Sequence, residues 1–279
     1  MIKSITNKNH CEAIWLNNKN EQGNKVFYVN IGAVDRVPSD YTETEEDHDK
    51  LILTTYWDDR MQSFKVLYDV LVDVFHAAID AVIMDLNEVS VEKYQELFDW
   101  IEDHFSTLPT FRIIGRCSFQ NYIWLMKTVK ANNSLQFLME PTEYPENLET
   151  VDLEADKVII KYGKWLKIKD IQAIKARDIA IEDVLLTDNE INALLKNLDA
   201  FKEKSNVKTL TLDFLRAAEP EVVLEGLNAI NEDEMKPTDC LNQWSFVLSN
   251  GEKCTVIYAE YHNNLSDDLV FGFDILIGN

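Results

Sequence analysis

The stretch from Asp178 to Phe214, DIAIEDVLLTDNEINALLKNLDAFKEKSNVKTLTLDF, contains the clearest structural signal in the chain. It opens with alternating apolar residues, as in a half-buried strand. Thr187 and Glu190 then have the spacing of a capping box, in which the Thr187 hydroxyl accepts from the third backbone N–H and Glu190 reaches back to the cap. A second alternating run follows over 207–214. This order predicts two parallel strands joined by a helix.

The same strand-plus-helix pattern recurs from Ile79 onward, with strand starts roughly 20 to 30 residues apart, the range of leucine-rich repeats. The six predicted strands are 81–86, 111–116, 135–140, 157–161, 178–182 and 207–214. Predicted helices begin near Ser90, Ser118, Trp165, Thr187 and Pro220. The fold class we expect is α/β, a leucine-rich-repeat-like curved parallel sheet with helices on its outer face.

Both ends of the chain depart from this pattern. Residues 25–31 and 50–57 are predicted strands on either side of an acidic loop at 40–49, and a helix over 63–76 follows. Near the other end, Asn250-Gly251 predicts a type I′ turn in a hairpin over 244–258, and 269–276 adds a strand. Antiparallel strands would thus cap both ends of the sheet.

The predicted organisation has two parts. Residues 1–78 form an N-terminal α/β cap region, and residues 79–279 form a repeat domain with the C-terminal β-hairpin; alternatively the whole chain is one continuous domain. At 279 residues, 46% of them apolar, the chain can bury a core large enough for either arrangement.

Charge and hydropathy narrow the classes of partner. The 49 acidic and 27 basic residues leave a net charge of −22, which repels phosphate backbones and anionic lipid, so we expect neither nucleic acid nor a membrane as partner. The charge either serves solubility or steers basic proteins to the surface. No run of about 20 apolar residues and no secretory signal is present, which predicts an intracellular protein of the cytoplasm or nucleus.

The sequence contains little that indicates catalysis. It has no phosphate-binding loop, dinucleotide motif, nucleophile elbow or calcium loop, and its four cysteines lie far apart without zinc-ligand spacing. Ser90 and Lys93 match a Ser-x-x-Lys pattern, but Ser90 is explained as a helix N-cap. We expect no catalytic residue, no metal ligand and no cofactor, and buried free thiols at the cysteines.

Candidate binding residues follow from the strand pattern. Sheet residues that point away from the helices form the accessible face, and alternation places six polar residues on it. These are Asp85, Arg112, Arg116, Glu182, Thr211 and Asp213. The six tryptophans are either core residues or contact anchors, and Trp100 and Trp124, which lie near apolar helical stripes, are predicted to belong to the core.

Three segments in a fixed order resemble the nematode-expanded F-box-associated domain, type 2. They are a tryptophan followed by a hydrophobic helix at 165–171, a Leu-Thr-x-x-Glu-Ile-Asn helix start within 181–196, and a Leu-x-Leu strand at 207–213. The later segments 226–230 and 249–257 resemble the closing helix and hairpin of the family, with Asn250 where Asp is usual. The resemblance covers about residues 60–258.

The resemblance implies the substrate-recognition part of an SCF-type E3 ubiquitin ligase receptor. Its partner would be a protein target, and the acidic surface would favour a basic one. Residues 1–60 do not resemble an F-box, so we expect that it was either removed or lost. A Skp-type adaptor would then bind only through an F-box outside this chain. The alternative is an F-box-less paralogue that sequesters or neutralises a protein partner without ubiquitination. A second alternative is a hydrolase that uses paired carboxylates.

Overall fold

The computed structural model describes residues 2–5, 12–18, 25–33, 46–47, 50–57, 62, 65–66, 68–69, 73, 81–86, 91–104, 108–144, 150–232, 242–262 and 269–278. Two compact units make up the chain. The first contains residues 1–116 and 129–132, and the second contains 117–128 and 133–279. The predicted cap over 1–78 and repeat domain over 79–279 stay predictions, because compactness alone does not test which part folds independently.

The first unit contains a five-stranded sheet with the strand order β1-β2-β3-β5-β4. Its strands are β1 (Ile2–Ile5), β2 (Glu12–Asn18), β3 (Lys25–Ala33), β4 (Glu46–Asp47) and β5 (Lys50–Trp57). The strands predicted at 25–31 and 50–57 are therefore confirmed, and they pair in parallel. Most of the predicted acidic loop at 40–49 lies outside the described residues. Of the helix predicted at 63–76, the described residues 65, 66, 68, 69 and 73 are helical.

A strand–helix–strand crossover completes the first unit. It consists of β6 (Ala81–Asp85), α1 (Val91–His104) and β7 (Leu108–Cys117), and the two strands pair in parallel. The helix packs through aromatic residues: Phe98 stacks on Phe111 with ring centroids 5.7 Å apart, and Trp100 is buried. The predicted core position of Trp100 is thus confirmed.

The second unit alternates helices and parallel strands and then continues with antiparallel strands. Its helices are α2 (Phe119–Thr128), α3 (Ile168–Ile171), α4 (Asp188–Lys196), α5 (Leu198–Ser205) and α6 (Pro220–Val223). Its strands are β8 (Ala131–Pro141), β9 (Lys157–Ile160), β10 (Asp178–Ile181), β11 (Thr209–Phe214), β12 (Ile230–Asn231), β13 (Asn242–Val247), β14 (Lys253–His262) and β15 (Leu269–Ile277). All six strands predicted by alternation are present.

The strands of the second unit form a mixed sheet with the order β12-β13-β14-β15-β11-β10-β9-β8. Strands β8 to β11 pair in parallel, and β11, β15, β14, β13 and β12 pair antiparallel, so the predicted α/β sheet with an antiparallel C-terminal end is confirmed. In the first unit β6 pairs in parallel with β7, and β1, β2 and β3 pair antiparallel in the five-stranded sheet, so the antiparallel cap predicted for the N-terminal end stays a prediction.

The helix predicted to start at Thr187 is interrupted. Its capping box is present, since the Glu190 amide donates to Thr187 Oγ1 at 3.3 Å and the Thr187 amide donates to Glu190 Oε2 at 2.8 Å. The apolar stripe is buried throughout, but Asn197 departs from helical geometry and separates α4 from α5. The helix predicted over 165–174 is also short, since only Ile168–Ile171 is helical.

The C-terminal hairpin forms as predicted, but the predicted turn type is wrong. The Gly251 amide donates to the Leu248 carbonyl at 3.0 Å, and the Leu248 amide donates to the Glu252 carbonyl at 2.9 Å, which leaves a three-residue loop. Only Gly251 in this loop has a positive φ, at 85°. This is the geometry of a type I turn followed by a glycine bulge. Asn250 has a negative φ, and its side-chain oxygen accepts from the Glu252 amide at 2.9 Å.

Candidate functional site

Strands β9, β10 and β11 have one buried face and one face that solvent reaches, which we call the open face. On β11, Leu210, Leu212 and Phe214 are buried, while Thr211 and Asp213 are half-buried on the other face. The same alternation holds along β9 and β10. Thr211 and Asp213 thus lie on the face opposite the buried one, as alternation predicts, and their role in binding stays a prediction.

Three charged residues lie side by side where these strands end. Ile181 is in register with Ile160 and Leu212, and so the next residue, Glu182, lies between Lys161 of the β9 strand end and Asp213 of β11. The hydrogen bond from the Glu182 amide to the Ile160 carbonyl, 2.9 Å, continues the strand pairing to this point. We call Lys161, Glu182 and Asp213 the charged row.

Glu182, in the middle of the charged row, has a shifted pKa. Its half-burial raises the pKa of Glu182, because a carboxylate loses hydration there. The neighbouring Lys161 lowers this pKa and the carboxylates of Asp213 and Asp183 raise it, with a net upward shift. Glu182 therefore holds a proton to higher pH than an ordinary glutamate, and its ionised form gains from any additional positive charge nearby.

The loop after β9 packs closely against the backbone of Glu182. The Gly163 amide donates to the Glu182 carbonyl at 2.9 Å, and a Cβ at position 163 would lie 2.4 Å from Ile181 Cγ2. Only glycine permits this approach. Next to it, Asp183 adopts a left-handed conformation with φ of 59° and pairs with Lys164 at 3.7 Å. The position of the charged row is thus determined by backbone contacts on both sides.

Large apolar side chains are exposed on loops beside the charged row. Leu185, in the loop after β10, is 65% exposed, and Leu215, directly after β11, is 55% exposed. Tyr144, which follows β8, is 37% exposed, and burial of its remaining surface raises its pKa to about 12, with further contributions from Asp183 and Glu140. We call the charged row together with Tyr144, Leu185 and Leu215 the carboxyl edge.

The loops with the two leucines are held together by Arg216. Its Nη2 donates to the Leu186 carbonyl at 2.7 Å and pairs with Asp188 Oδ1 at 2.7 Å. The other Asp188 oxygen accepts from the Glu219 amide at 3.1 Å, and the Val184 amide donates to the Asp213 carbonyl at 2.9 Å. These bonds fix both loops, so Leu185 and Leu215 are exposed by a defined structure.

The six predicted binding residues are divided between the two units. Glu182, Thr211 and Asp213 lie together on the open face of the second unit, where the Thr211 hydroxyl donates to Asp274 Oδ1 at 2.6 Å. Arg112, half-buried, and Arg116, exposed, belong to the first unit. Asp85 lies in β6, and its side chain is outside the described residues.

The sequence prediction missed four residues of the carboxyl edge. They are Tyr144, Lys161, Leu185 and Leu215. One signal was available for Leu185, since the run Val184-Leu185-Leu186 falls between a strand and a capping box and matches the period of neither. Lys161 ends the predicted strand 157–161, but its place beside Glu182 depends on the register between two strands.

The carboxyl edge combines two carboxyl groups and one ammonium group with three exposed large side chains. The neighbouring Glu182 and Asp213 can accept hydrogen bonds and stabilise a cation, and one of them can retain a proton. Among the described residues, no group of three or more His, Cys, Asp or Glu side chains is placed to hold a metal ion. Cys117 and Cys254 are buried free thiols, as predicted, and burial raises the pKa of Cys117 to about 11 and that of Cys254 to about 12.

No helix among the described residues has the length and apolar character to cross a bilayer. Comparison of the chain with protein-family models, with curated proteins and with solved structures finds no match. The fold and the carboxyl edge are therefore the basis for the proposal of function.

Proposed function

We propose that this chain is a protein-binding receptor whose contact surface is the carboxyl edge of the second unit. The observation that supports this most is the exposure of Leu185 and Leu215 on loops that Arg216 holds in place. Exposed apolar groups bordered by charged residues are typical of protein-contact surfaces. The ends of parallel strands are also where open α/β sheets bind ligands most often.

The two leucines provide enough apolar surface to anchor a partner. Full burial of a leucine side chain contributes about 1.5–3 kcal/mol. Since 65% and 55% of these residues are exposed, covering both contributes about 2–3.5 kcal/mol in total. The loops are already ordered, so little of this is lost to ordering on association. The charged row beside them then selects a partner with complementary charge.

In the wider role that we propose, the chain resembles the F-box-associated substrate receptors of SCF-type ubiquitin ligases. The parallel strands would form a curved, leucine-rich-repeat-like surface, and ubiquitin transfer would be performed by other subunits. A Skp-type adaptor would join through an F-box outside this chain. Without such an F-box the same surface sequesters its protein target instead of marking it.

Proximity labelling in cells tests this proposal with a matched pair of variants. Leu185→Asp/Leu215→Asp places charges on the carboxyl edge, and Ile230→Asp/Val247→Asp makes the same change at two other exposed apolar residues. We expect the wild type and the Ile230/Val247 variant to label one shared set of proteins that the Leu185/Leu215 variant loses. Identical sets from all three chains would contradict the proposal.

The same experiment separates the two roles. Recovery of a Skp-type adaptor with the target supports the ligase receptor. Recovery of the target without an adaptor, with an unchanged half-life of the target when the chain is depleted, supports sequestration.

A further inference from the structure

A groove of about 460 Å³ opens on the surface of the second unit, between α6 and the antiparallel strands. The aromatic rings of Trp244 and Tyr258 line it together with Pro220 and Leu224, and Glu221 and the amides of Asn231 and Asn242 add polar groups. Asn242 is in register with Tyr258, and Trp244 is two residues further along β13, so both rings are on the same side of the β13–β14 pair.

The aromatic wall of the groove is preformed. The Tyr258 ring stacks parallel to Phe271 with centroids 6.4 Å apart and packs against Phe273 at 5.0 Å. Its hydroxyl accepts from the Ala218 amide at 3.2 Å, which connects the ring to the loop that precedes α6. A ligand therefore meets a fixed aromatic surface and does not have to order it.

We propose that this groove binds an arginine side chain of the protein partner. The argument is one of charge and shape: aromatic rings attract a cation, Pro220 and Leu224 offer apolar contact to its alkyl stem, and the exposed Glu221 supplies a carboxylate. The planar guanidinium stacks on aromatic rings and has five N–H donors, which suit the Glu221 carboxylate and the amide oxygen of Asn242. The net charge of −22 favours a basic partner over a neutral one.

The inference rests on the proposed function, because the arginine belongs to the protein that the carboxyl edge contacts. The chain itself connects the two surfaces. Leu215 is followed by a short loop that leads directly into Pro220, the first residue of α6 and part of the groove. The two surfaces together would select a partner segment with an apolar side chain for Leu215 and an arginine for the groove.

NMR of the tryptophan indole N–H groups tests the groove with a defined probe, a blocked Gly-Arg-Gly peptide. Trp244→Phe assigns the indole signal of Trp244, and a peptide with citrulline in place of arginine has the same shape without the charge. We expect the Trp244 signal to shift saturably with the arginine peptide in the millimolar range and much less with the citrulline peptide.

Two further variants remove one negative charge each. Glu221→Gln changes the groove, and Glu225→Gln changes an exposed carboxylate nearby that does not line it. We expect Glu221→Gln to weaken binding about two- to fivefold, as for one exposed ion pair, and Glu225→Gln to leave it unchanged. An unmoved Trp244 signal, equal shifts with the citrulline peptide, or equal effects of the two variants would overturn the proposal.

These results are independent of the test of the proposed function. The peptide has no apolar side chain for Leu185 and Leu215 to contact, so the groove can fail while labelling through the carboxyl edge is retained. Loss of labelling specificity at the carboxyl edge, in turn, leaves the binding of the arginine peptide unaffected.

Discussion

Leu185 and Leu186 are adjacent in sequence but opposite in exposure, which makes them a matched pair for testing the carboxyl edge. Leu185 is 65% exposed and Leu186 is 1% exposed. Truncation of Leu186 to alanine removes buried methyl groups and leaves a cavity, which lowers the free energy of unfolding by about 2–5 kcal/mol. The same truncation at Leu185 removes groups that already contact water and changes it by less than about 0.5 kcal/mol.

Urea unfolding of Leu185→Ala and Leu186→Ala measures this difference through the midpoint, provided that the m-value is unchanged. Hydrogen exchange of the Ile181 and Leu212 amides adds a local measurement, because both residues lie in the strands next to the loop. We expect faster exchange at both amides in Leu186→Ala and wild-type exchange in Leu185→Ala.

A similar loss of stability in the two variants would refute the reasoning. It would mean that Leu185 packs against the protein in solution, and that the loop does not present it to a partner. A midpoint shift in neither variant would instead place Leu186 outside the core, and the Arg216 contacts to this loop would then have no stabilising role.

Three further changes have defined outcomes. Glu182→Gln stabilises the protein at neutral pH. The pKa of Glu182 is raised in the folded state, so ionisation of this carboxyl lowers the free energy of unfolding as pH rises above the unfolded pKa of 4.5. In urea unfolding, the difference in midpoint in favour of glutamine therefore grows with pH before it levels off. Gly163→Ala lowers the free energy of unfolding by about 1–3 kcal/mol, since its Cβ would lie 2.4 Å from Ile181 Cγ2; an unchanged urea midpoint would contradict the packing described. Thr187→Ala removes the cap of α4 and lowers the free energy of unfolding by about 1 kcal/mol, whereas Thr187→Ser keeps the hydroxyl and leaves the urea midpoint unchanged.

The strands β9, β10 and β11 were predictable because each has one buried face. Alternation in 178–182 and 207–214 reflects the burial of Ile179, Ile181, Leu210 and Leu212, and burial on one face is what produces a period of two. The break at Asn197 was not predictable, because the apolar stripe continues across it in phase.

The sequence patterns do not predict which strands pair with one another. Residues 269–276 alternate as a strand should, but alternation does not indicate that β15 lies between β14 and β11. Such pairing depends on contacts between residues far apart in sequence. The turn type of the hairpin differs from the predicted one for a more local reason. The Asn250 side chain accepts from the Glu252 amide, and the loop has three residues.

The candidate site was only partly predictable for the same reasons. Thr211 and Asp213 follow from alternation within one strand, whereas the placement of Lys161 beside Glu182 depends on the register between two strands. The exposure of Leu185 and Leu215 has no periodic signature. It depends on Arg216, whose hydrogen bonds to a loop 30 residues earlier become visible only in three dimensions.

The position of β15 between β14 and β11 has a consequence for synthesis of the protein on the ribosome. The edge of β11 that β15 covers is complete long before residues 269–277 are translated. Until then the nascent chain presents an unpaired strand edge, to which other strands can add. The parallel half of the sheet therefore has an open edge, at which aggregation can start, for the time that translation of residues 215–268 takes.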